Sequence, residues 1–118
     1  MTALEKAQKI ATILDDKKGR EVSILKVSEE TIICDYFVIA TATSSTHQKA
    51  LCDEVEYRLR EDEGITASRV EGYQGGGWIL QDFTDVIVHI FDAESRGFFN
   101  LEKLWAAAEK IEFEGKED

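Results

Sequence analysis

Apolar residues recur at helical spacing at the start of the chain. Residues 3–17 place an apolar side chain at every third or fourth position, at Leu4, Ala7, Ile10, Ala11 and Leu14. This spacing gathers the apolar side chains on one face and predicts an amphipathic helix. Gly19 follows this segment, and a glycine in that place is typical of a helix end.

A second helix is predicted over residues 46–63. Its apolar side chains follow one another at four-residue spacing, at Leu51, Val55 and Leu59. Ser44, Ser45 and Thr46 stand at its start, and their hydroxyl groups can cap the N-terminus of a helix. Gly64 then predicts its end.

Two strand patterns lie between these helices. In residues 21–28, EVSILKVS, successive side chains fall on opposite faces if the segment is extended. This alternation predicts a strand exposed on one side. Residues 31–42, TIICDYFVIATA, form a near-continuous apolar run. Such a run is typical of a central strand that is covered on both faces.

The second half of the chain predicts three further strands and a last helix. A short strand is expected within residues 65–72, followed by a flexible loop over 72–77 and by two β-rich runs, WILQDF and DVIVHIF. Asn100 can cap a final helix whose apolar stripe is formed by Leu101, Leu104, Trp105, Ala108 and Ile111. The order α-β-β-α-β-β-β-α predicts an α/β fold, with helices packed on a mixed sheet.

The two β-rich runs predict a hairpin with Phe83 and Thr84 in its turn. This register pairs three residues of one strand with three of the other: Trp78 with His89, Leu80 with Ile87, and Asp82 with Asp85. The six side chains share one face because strand side chains alternate, and we refer to them as the recognition strip. The first or last helix can cover the strip, or the strip can be exposed as a binding hot spot.

Composition and charge narrow the class of protein. The chain has 118 residues, of which 43% are hydrophobic and 32% are charged, so one domain with a real core is expected over 1–113, followed by an acidic tail over 114–118. No apolar run approaches the roughly 18 residues of a membrane span, and two cysteines are too few for a disulfide framework. These features predict a cytoplasmic protein with reduced thiols.

The net charge of −10 indicates which chemical class of binding partner to expect. A phosphate backbone repels such a chain, because nucleic-acid binding depends on lysine and arginine side chains that release counterions. We therefore expect no DNA contact, little or no direct RNA contact, and faster association with a basic partner. Downstream of the hairpin, Arg96, Phe98 and Phe99 stand at a predicted turn, where bulky aromatic side chains are harder to explain as core.

An alternative function depends on Asp92 and Glu94, two carboxylates at a predicted strand end. Such a pair can hold Mg²⁺ for nucleotidyl transfer. Enzymes of this α/β layout also need a Gly-Ser turn that grips the triphosphate, and the chain contains no Gly-Ser dipeptide. His47 and His89 lack zinc-site spacing. The sequence therefore favours a protein without catalysis, metal or cofactor.

Two long segments resemble a known family. They are CDYFVIATATSSTHQKALCDEV at 34–55 and GWILQDFTDVIVHIFDAESRGFFNLEKLW at 77–105. The specific positions of the second are Trp78, Asp82, Asp85, Val88, His89, Phe91, Arg96, Leu101, Glu102, Leu104 and Trp105. In these residues the chain resembles the ribosome silencing factors, also called iojap-like proteins.

This resemblance implies a nucleotidyltransferase-like fold without the catalytic set. It also implies binding to large-subunit ribosomal protein fourteen, a basic protein at the subunit junction, which blocks joining of the small subunit and lowers translation when nutrients are scarce. The recognition strip, the turn after it and this resemblance together predict the partner-binding residues Trp78, Leu80, Asp82, Asp85, His89, Arg96, Phe98 and Phe99. Off the ribosome, the same face can pair two copies of the chain.

The sequence departs from the family pattern at Phe98 and Phe99, where at least one tyrosine is usual, so one hydrogen bond of the contact can be missing. Two substitutions express the interface hypothesis most directly. We expect Trp78→Ala and Arg96→Ala to weaken binding and to leave the fold intact.

Overall fold

Two long helices and a six-stranded sheet make up most of the fold. The structure, a computed structural model, describes residues 1–113, so the predicted acidic tail lies outside the described residues. The elements are α1 (Ala3–Asp16), β1 (Arg20–Lys26), β2 (Tyr36–Ala42), α2 (Ser45–Glu63), β3 (Arg69–Glu71), β4 (Trp78–Asp82), β5 (Val86–Asp92), α3 (Ala93–Phe99), α4 (Leu101–Leu104) and β6 (Glu109–Ile111). The predicted mixed α/β fold is confirmed. None of the described helices is long and apolar enough to cross a membrane.

The strands are ordered β3-β4-β5-β2-β1-β6 across the sheet. β2 and β5 lie side by side at the centre and run parallel, whereas every other neighbouring pair is antiparallel. A parallel pair needs a long crossover connection, and α2 lies within the connection from β2 to β5.

The first face of the sheet is covered by α1 and α2. Helix α2 begins and ends with the predicted chemistry: the Ser44 hydroxyl accepts a hydrogen bond from the His47 backbone N–H at 3.0 Å, and Gly64 ends the helix with a left-handed φ of 68°. Thr2 and Glu5 form a capping box at the start of α1. The apolar stripes of α1 and α2 pack on the even-numbered side chains of β2 and β5 to form the first core cluster.

The second face is covered by α3, α4 and the residues that lead from α4 to the edge strand β6. Its buried residues form a second core cluster of Leu25, Val27, Cys34, Phe37, Ile39, Ile87, Phe91 and Leu101. Neither covering helix is long, and α3 has no buried residue.

The strands of the N-terminal half differ from prediction in two ways. β1 is buried on both faces over 23–25 rather than exposed on one side, because α1 covers one face and Glu102 from α4 reaches Ser23 on the other. β2 begins at Tyr36, so Ile32 and Ile33 precede the strand and are exposed.

The hairpin turn is longer than predicted. Three residues, Phe83 to Asp85, connect the strands, and the Phe83 N–H donates to the Val86 carbonyl at 2.9 Å. Asp82 pairs with Ile87 rather than with Asp85, and Phe83 is buried in the first core cluster, so Phe83 and Thr84 do not form a two-residue turn by themselves. Asp85 therefore lies in the turn and not in a strand.

The longer turn changes the strand pairing. Trp78 pairs with Phe91 and Leu80 pairs with His89, so the predicted pairs are wrong by two residues. A slip of two residues preserves the face of every side chain. The prediction that Trp78, Leu80 and His89 share one face is therefore confirmed.

The C-terminal region contradicts the predicted final helix. Asn100 caps α4 as predicted, but α4 ends at Leu104, and the chain then forms β6. β6 pairs with β1 and places Ile111 beside Ile24, which satisfies backbone groups that a helix would leave open on that edge. Leu104, predicted to be core, is 73% exposed. Helix α3 was not predicted, so the observed order is α-β-β-α-β-β-β-α-α-β.

Candidate partner-binding surface

Aromatic side chains from three strands and the C-terminal segment meet on the second face of the sheet. We call this group the aromatic cluster. Its members are Phe37 on β2, Trp78 on β4, His89 and Phe91 on β5, Phe99 on α3, and Trp105 after α4. Side chains two residues apart on β5, and neighbours on β2 and β4, point to the same face, and the helical residues close over them.

Trp78 occupies the centre of the cluster. Its ring centroid lies 5.0 Å from that of Phe91 and 4.6 Å from that of Phe99, while the Phe37 ring meets Trp105 edge-on at 5.1 Å. Tilted and edge-on contacts at such distances are favourable for aromatic pairs. Trp78 and Trp105 are only partly buried, so the cluster reaches the protein surface.

His89 lies beneath Trp78 as a buried, hydrogen-bonded side chain. The Trp78 Nε1–H donates to His89 Nδ1 at 3.1 Å, and the Phe37 ring contacts the imidazole edge-on at 4.6 Å. Because Nδ1 accepts this bond, the neutral ring carries its hydrogen on Nε2, and that atom has no hydrogen-bond partner among the described residues. His89 therefore orients the indole of Trp78.

Burial also determines the charge of this imidazole. His89 is 4% exposed, and loss of hydration lowers its pKa from 6.5 to about 4. The ring is neutral at physiological pH, which preserves the bond from Trp78. Of the two interpretations of the strip, the structure supports a covered, structural position for His89.

Asp92 caps helix α3. Its carboxylate accepts a hydrogen bond from the Ser95 backbone N–H at 2.7 Å, and Glu94 lies in the first turn. Gly77 packs against this cap so closely that a Cβ atom there would lie 2.6 Å from the Asp92 carboxylate. The two acids of the alternative function thus begin a helix. Among residues 1–113, no group of three or more His, Cys, Asp and Glu side chains could hold a metal ion.

Arg96 fastens α3 and α4 to the sheet. Its guanidinium donates to the Glu102 carboxylate and, at 3.0 Å, to the Thr41 hydroxyl of β2, while the Ser23 hydroxyl donates to Glu102 at 3.1 Å. Partial burial raises the pKa of Glu102, but the hydrogen bond and charge of Arg96 outweigh that effect and hold it below its ordinary value. The Arg96 side chain is 12% exposed, so it braces the surface from within.

Phe98, Phe99 and Leu104 form an exposed apolar surface, which we call the Phe98–Leu104 surface. Phe98 is 80% exposed, Leu104 is 73% exposed and Phe99 is 42% exposed. Gly97, Asn100 and Lys103 line a shallow depression between them. The Phe99 ring also contacts the Trp78 ring in a tilted arrangement, so the surface continues into the aromatic cluster. Exposed apolar residues that adjoin one another are typical of interaction sites.

The acids of the recognition strip lie around the hairpin turn. Asp82 accepts a hydrogen bond from the Thr84 backbone N–H at 2.8 Å and lies 3.7 Å from Arg69. Asp85 forms an ion pair with Lys6 of α1 at 2.6 Å, which places it toward the first face. The prediction that Asp85 shares a face with Trp78 is therefore wrong.

The remaining candidate groups have structural surroundings. Leu80 is partly buried against the second core cluster. Cys34 and Cys52 are buried, and burial raises the pKa of their thiols to about 11 and about 12, so both are protonated at neutral pH. His47 joins the two helices of the first face: its Nδ1 accepts from the Thr43 N–H, and its Nε2 lies 2.9 Å from the Lys17 carbonyl oxygen.

The sequence pattern missed Leu104 as a surface residue. Leu104 continues the apolar spacing from Leu101, and only the end of α4 after one turn exposes it. No local signal distinguishes these two leucines, because burial here depends on which residues the sheet can reach.

Comparisons with known proteins agree with the earlier resemblance. The whole chain, residues 1–118, matches the family model described as "Ribosomal silencing factor during starvation". A ribosomal silencing factor RsfS from Halalkalibacterium halodurans is 36% identical over 115 residues, which are 98% of this chain and 97% of that protein.

A crystal structure and a more distant relative extend the comparison. The structure of a protein from Chromobacterium violaceum superimposes with a TM-score of 0.85 at 30% identity and covers 98% of this chain and 95% of its own. A mouse protein named "Mitochondrial assembly of ribosomal large subunit protein 1" is 28% identical over 81% of this chain and 43% of that protein.

Proposed function

Because the chain belongs to the ribosomal silencing factor RsfS family, we propose that it represses translation by binding the large ribosomal subunit and blocking its association with the small subunit. The Phe98–Leu104 surface is the observation that carries this proposal. It presents three large apolar side chains to solvent on a braced support.

The proposed contact on the ribosome is large-subunit ribosomal protein fourteen. A net charge of −10 suits a basic protein better than bare RNA, since long-range attraction speeds encounter with positive charge. The name of the mouse relative points to the large subunit, which supports the choice of subunit.

The predicted site residues divide into two roles in this proposal. Phe98, Phe99 and the open edge of Trp78 contact the partner, with Leu80 and Asp82 beside them on the hairpin. His89 and Arg96 act from below, since His89 holds the Trp78 indole and Arg96 ties down α3. Asp85, which pairs with Lys6 toward the first face, has no part in this contact.

Repression in this proposal needs no catalysis. A stable interface buries about 800 Å² on each partner, and the second face with its covering segment can supply an area of this size. A bound domain then occupies ground that the small subunit must touch. The protein acts in the cytoplasm, and off the ribosome the same surface pairs two copies of the chain.

Binding to purified large subunits tests the proposal. We expect the chain to sediment with large subunits at moderate salt and to reduce their joining to small subunits. Phe98→Ala should weaken this binding by about tenfold or more, because an aromatic anchor at an interface centre commonly contributes that much. Tyr57→Ala is the matched control, since Tyr57 is an exposed aromatic residue of α2 on the other face.

Two outcomes contradict the proposal. A chain that stays in the supernatant does not bind large subunits. Equal loss of binding in the Phe98 and Tyr57 variants would place the contact elsewhere. Light scattering of both variants at high concentration measures self-association through the same surface, with a lower mass expected only for Phe98→Ala.

A further inference from the structure

Ile32 and Ile33 project from the loop of residues 28–35, which we call the isoleucine loop. Ile32 is fully exposed and Ile33 is 72% exposed, whereas every other isoleucine that the structure describes is buried or half-buried. Two adjacent exposed isoleucines forgo the burial that drives folding. Such a patch indicates an interaction site when its backbone is held in place.

Hydrogen bonds hold this loop at both ends. The Val27 N–H donates to the Asp35 carbonyl at 2.9 Å, the Thr31 N–H donates to the Val27 carbonyl at 3.0 Å, and the Asp35 N–H donates to the Asp85 carbonyl at 2.8 Å. Val27 and Cys34, at the two ends, are buried in the second core cluster. The loop is therefore a fixed projection.

Carboxylates flank the projecting isoleucines along the chain. Glu29 and Glu30 precede them, Asp35 follows them, and all three are exposed. Glu109 of β6 lines one depression together with Glu29 and Glu30. Lys26 lies in the same depression, 3.9 Å from Glu29. An apolar tip with an acidic border needs a partner of the opposite charge.

We propose that the isoleucine loop is a second docking element, which inserts Ile32 and Ile33 into an apolar pocket bordered by lysine and arginine side chains on a basic protein. The carboxylates would repel the phosphates of RNA and the anionic headgroups of a membrane. A second copy of the chain is also disfavoured at this loop, because its net charge of −10 would face the carboxylates of the border. Among the described residues, no carboxylate lines the depression of the Phe98–Leu104 surface, so this repulsion does not apply there.

The base of the loop packs on the face of the sheet that carries the Phe98–Leu104 surface. Val27 and Cys34 beneath the loop and Leu101 of α4 all belong to the second core cluster, and residues 104–109 connect the two sites along the chain. The inference rests on the proposed function. The basic protein that receives the isoleucine loop is then part of the large subunit and lies beside the contact made by the Phe98–Leu104 surface. Two contacts on one rigid domain reinforce each other, since the second forms without a further loss of rotational freedom.

The double variant Ile32→Ser/Ile33→Ser tests the inference on purified large subunits. We expect binding to weaken by about tenfold or more, because two aliphatic side chains are no longer buried in the complex. The melting temperature of the free chain should not change, because both residues are exposed there. Tyr57→Ser, on the other face, is the control and should bind as the original chain does. If the original chain does not bind, the proposed function is wrong. If the original chain and the double variant bind equally, only this inference is wrong.

The charge variant Glu29→Gln/Glu30→Gln gives a test with opposite signs for the two kinds of partner. For a basic protein, binding should weaken and become less sensitive to added salt. Tighter binding would mean that the loop faces RNA, which would overturn the inference. A lower mass of the isoleucine double variant in light scattering would identify a second copy as the occupant and would also overturn it.

Discussion

The two faces of the sheet are covered in different ways. On the first face, two long capped helices bury aliphatic side chains completely, among them Ile10, Leu51 and Val88. On the second face, two short helices leave an aromatic cluster half-covered, and Arg96 and Glu102 hold them by polar contacts.

This difference separates stability from recognition. Long amphipathic helices that bury a continuous apolar stripe contribute most of the hydrophobic stabilisation of a small domain. A short segment held by an ion pair contributes less, but it can present apolar side chains to a partner. We expect substitutions on the first face to unfold the protein, and those on the second face to change binding or local order.

The largest expected effect compares one substitution on both faces. Leu51→Ala, in α2, should lower the free energy of unfolding by about 3–4 kcal/mol, because the tightly enclosed site keeps a cavity. Leu101→Ala, in α4, should lower it by about 2 kcal/mol, since the short covering segment can collapse into the space. Urea unfolding measures both values. Equal losses would mean that the faces are equally rigid.

Acid should destabilise the protein through the second face. His89 has a pKa of about 4 in the folded state, against 6.5 as its ordinary value. Below pH 6.5 the unfolded chain therefore binds a proton that the folded chain does not, and stability falls with pH. The loss reaches about 3 kcal/mol at pH 4 and fades to zero as the pH rises above 6.5.

Urea unfolding between pH 6.5 and pH 5 measures this effect, because carboxylates remain largely ionised there. The slope should disappear in His89→Gln, which cannot titrate. A slope that persists in the variant would assign the acid sensitivity to other groups.

Arg96→Ala should have a smaller, local effect. The substitution leaves Glu102 half-buried without its cation and frees α3 from Thr41, at a cost of about 1–2 kcal/mol. The sequence predicted that this variant leaves the fold intact. The contacts of Arg96 instead predict that α3 and α4 open locally in the variant. Amide hydrogen exchange should become faster in α3 and α4 but stay unchanged in α1. Uniformly faster exchange would show that the brace supports the whole domain.

Phe98→Ala should have the smallest effect on stability. Its side chain is 80% exposed, so the free energy of unfolding should change by no more than about 0.5 kcal/mol. Binding to large subunits should nevertheless weaken. A marked loss of stability would show that Phe98 packs inside the fold, and the distinction between the faces would not hold at this residue.

Local signals predicted the first face well. The apolar spacing of α1 and α2, the cap at Ser44 and the stop at Gly64 all appear as expected. The family resemblance in residues 77–105 covers the segment that carries the Phe98–Leu104 surface, and its role in binding stays a prediction. Side-chain alternation placed Trp78 and His89 on one face even though their pairing was wrong.

The second face depended on contacts between distant parts of the chain. The hairpin register changed because Phe83 is buried in the first core cluster, and a turn sequence does not contain that information. The apolar stripe from Leu101 onward fits a helix equally well, but residues 109–111 find a strand partner in β1.

The sequence by itself determined the fold class, the two long helices, the central strands and the family, because periodicity, caps and motifs act over a few neighbouring residues. Only the tertiary structure decided that His89 is buried beneath Trp78, that Arg96 is a brace, and that Leu104, Ile32 and Ile33 face solvent. An apolar residue is exposed when no distant element of the chain packs against it, and no local sequence pattern specifies which elements pack together.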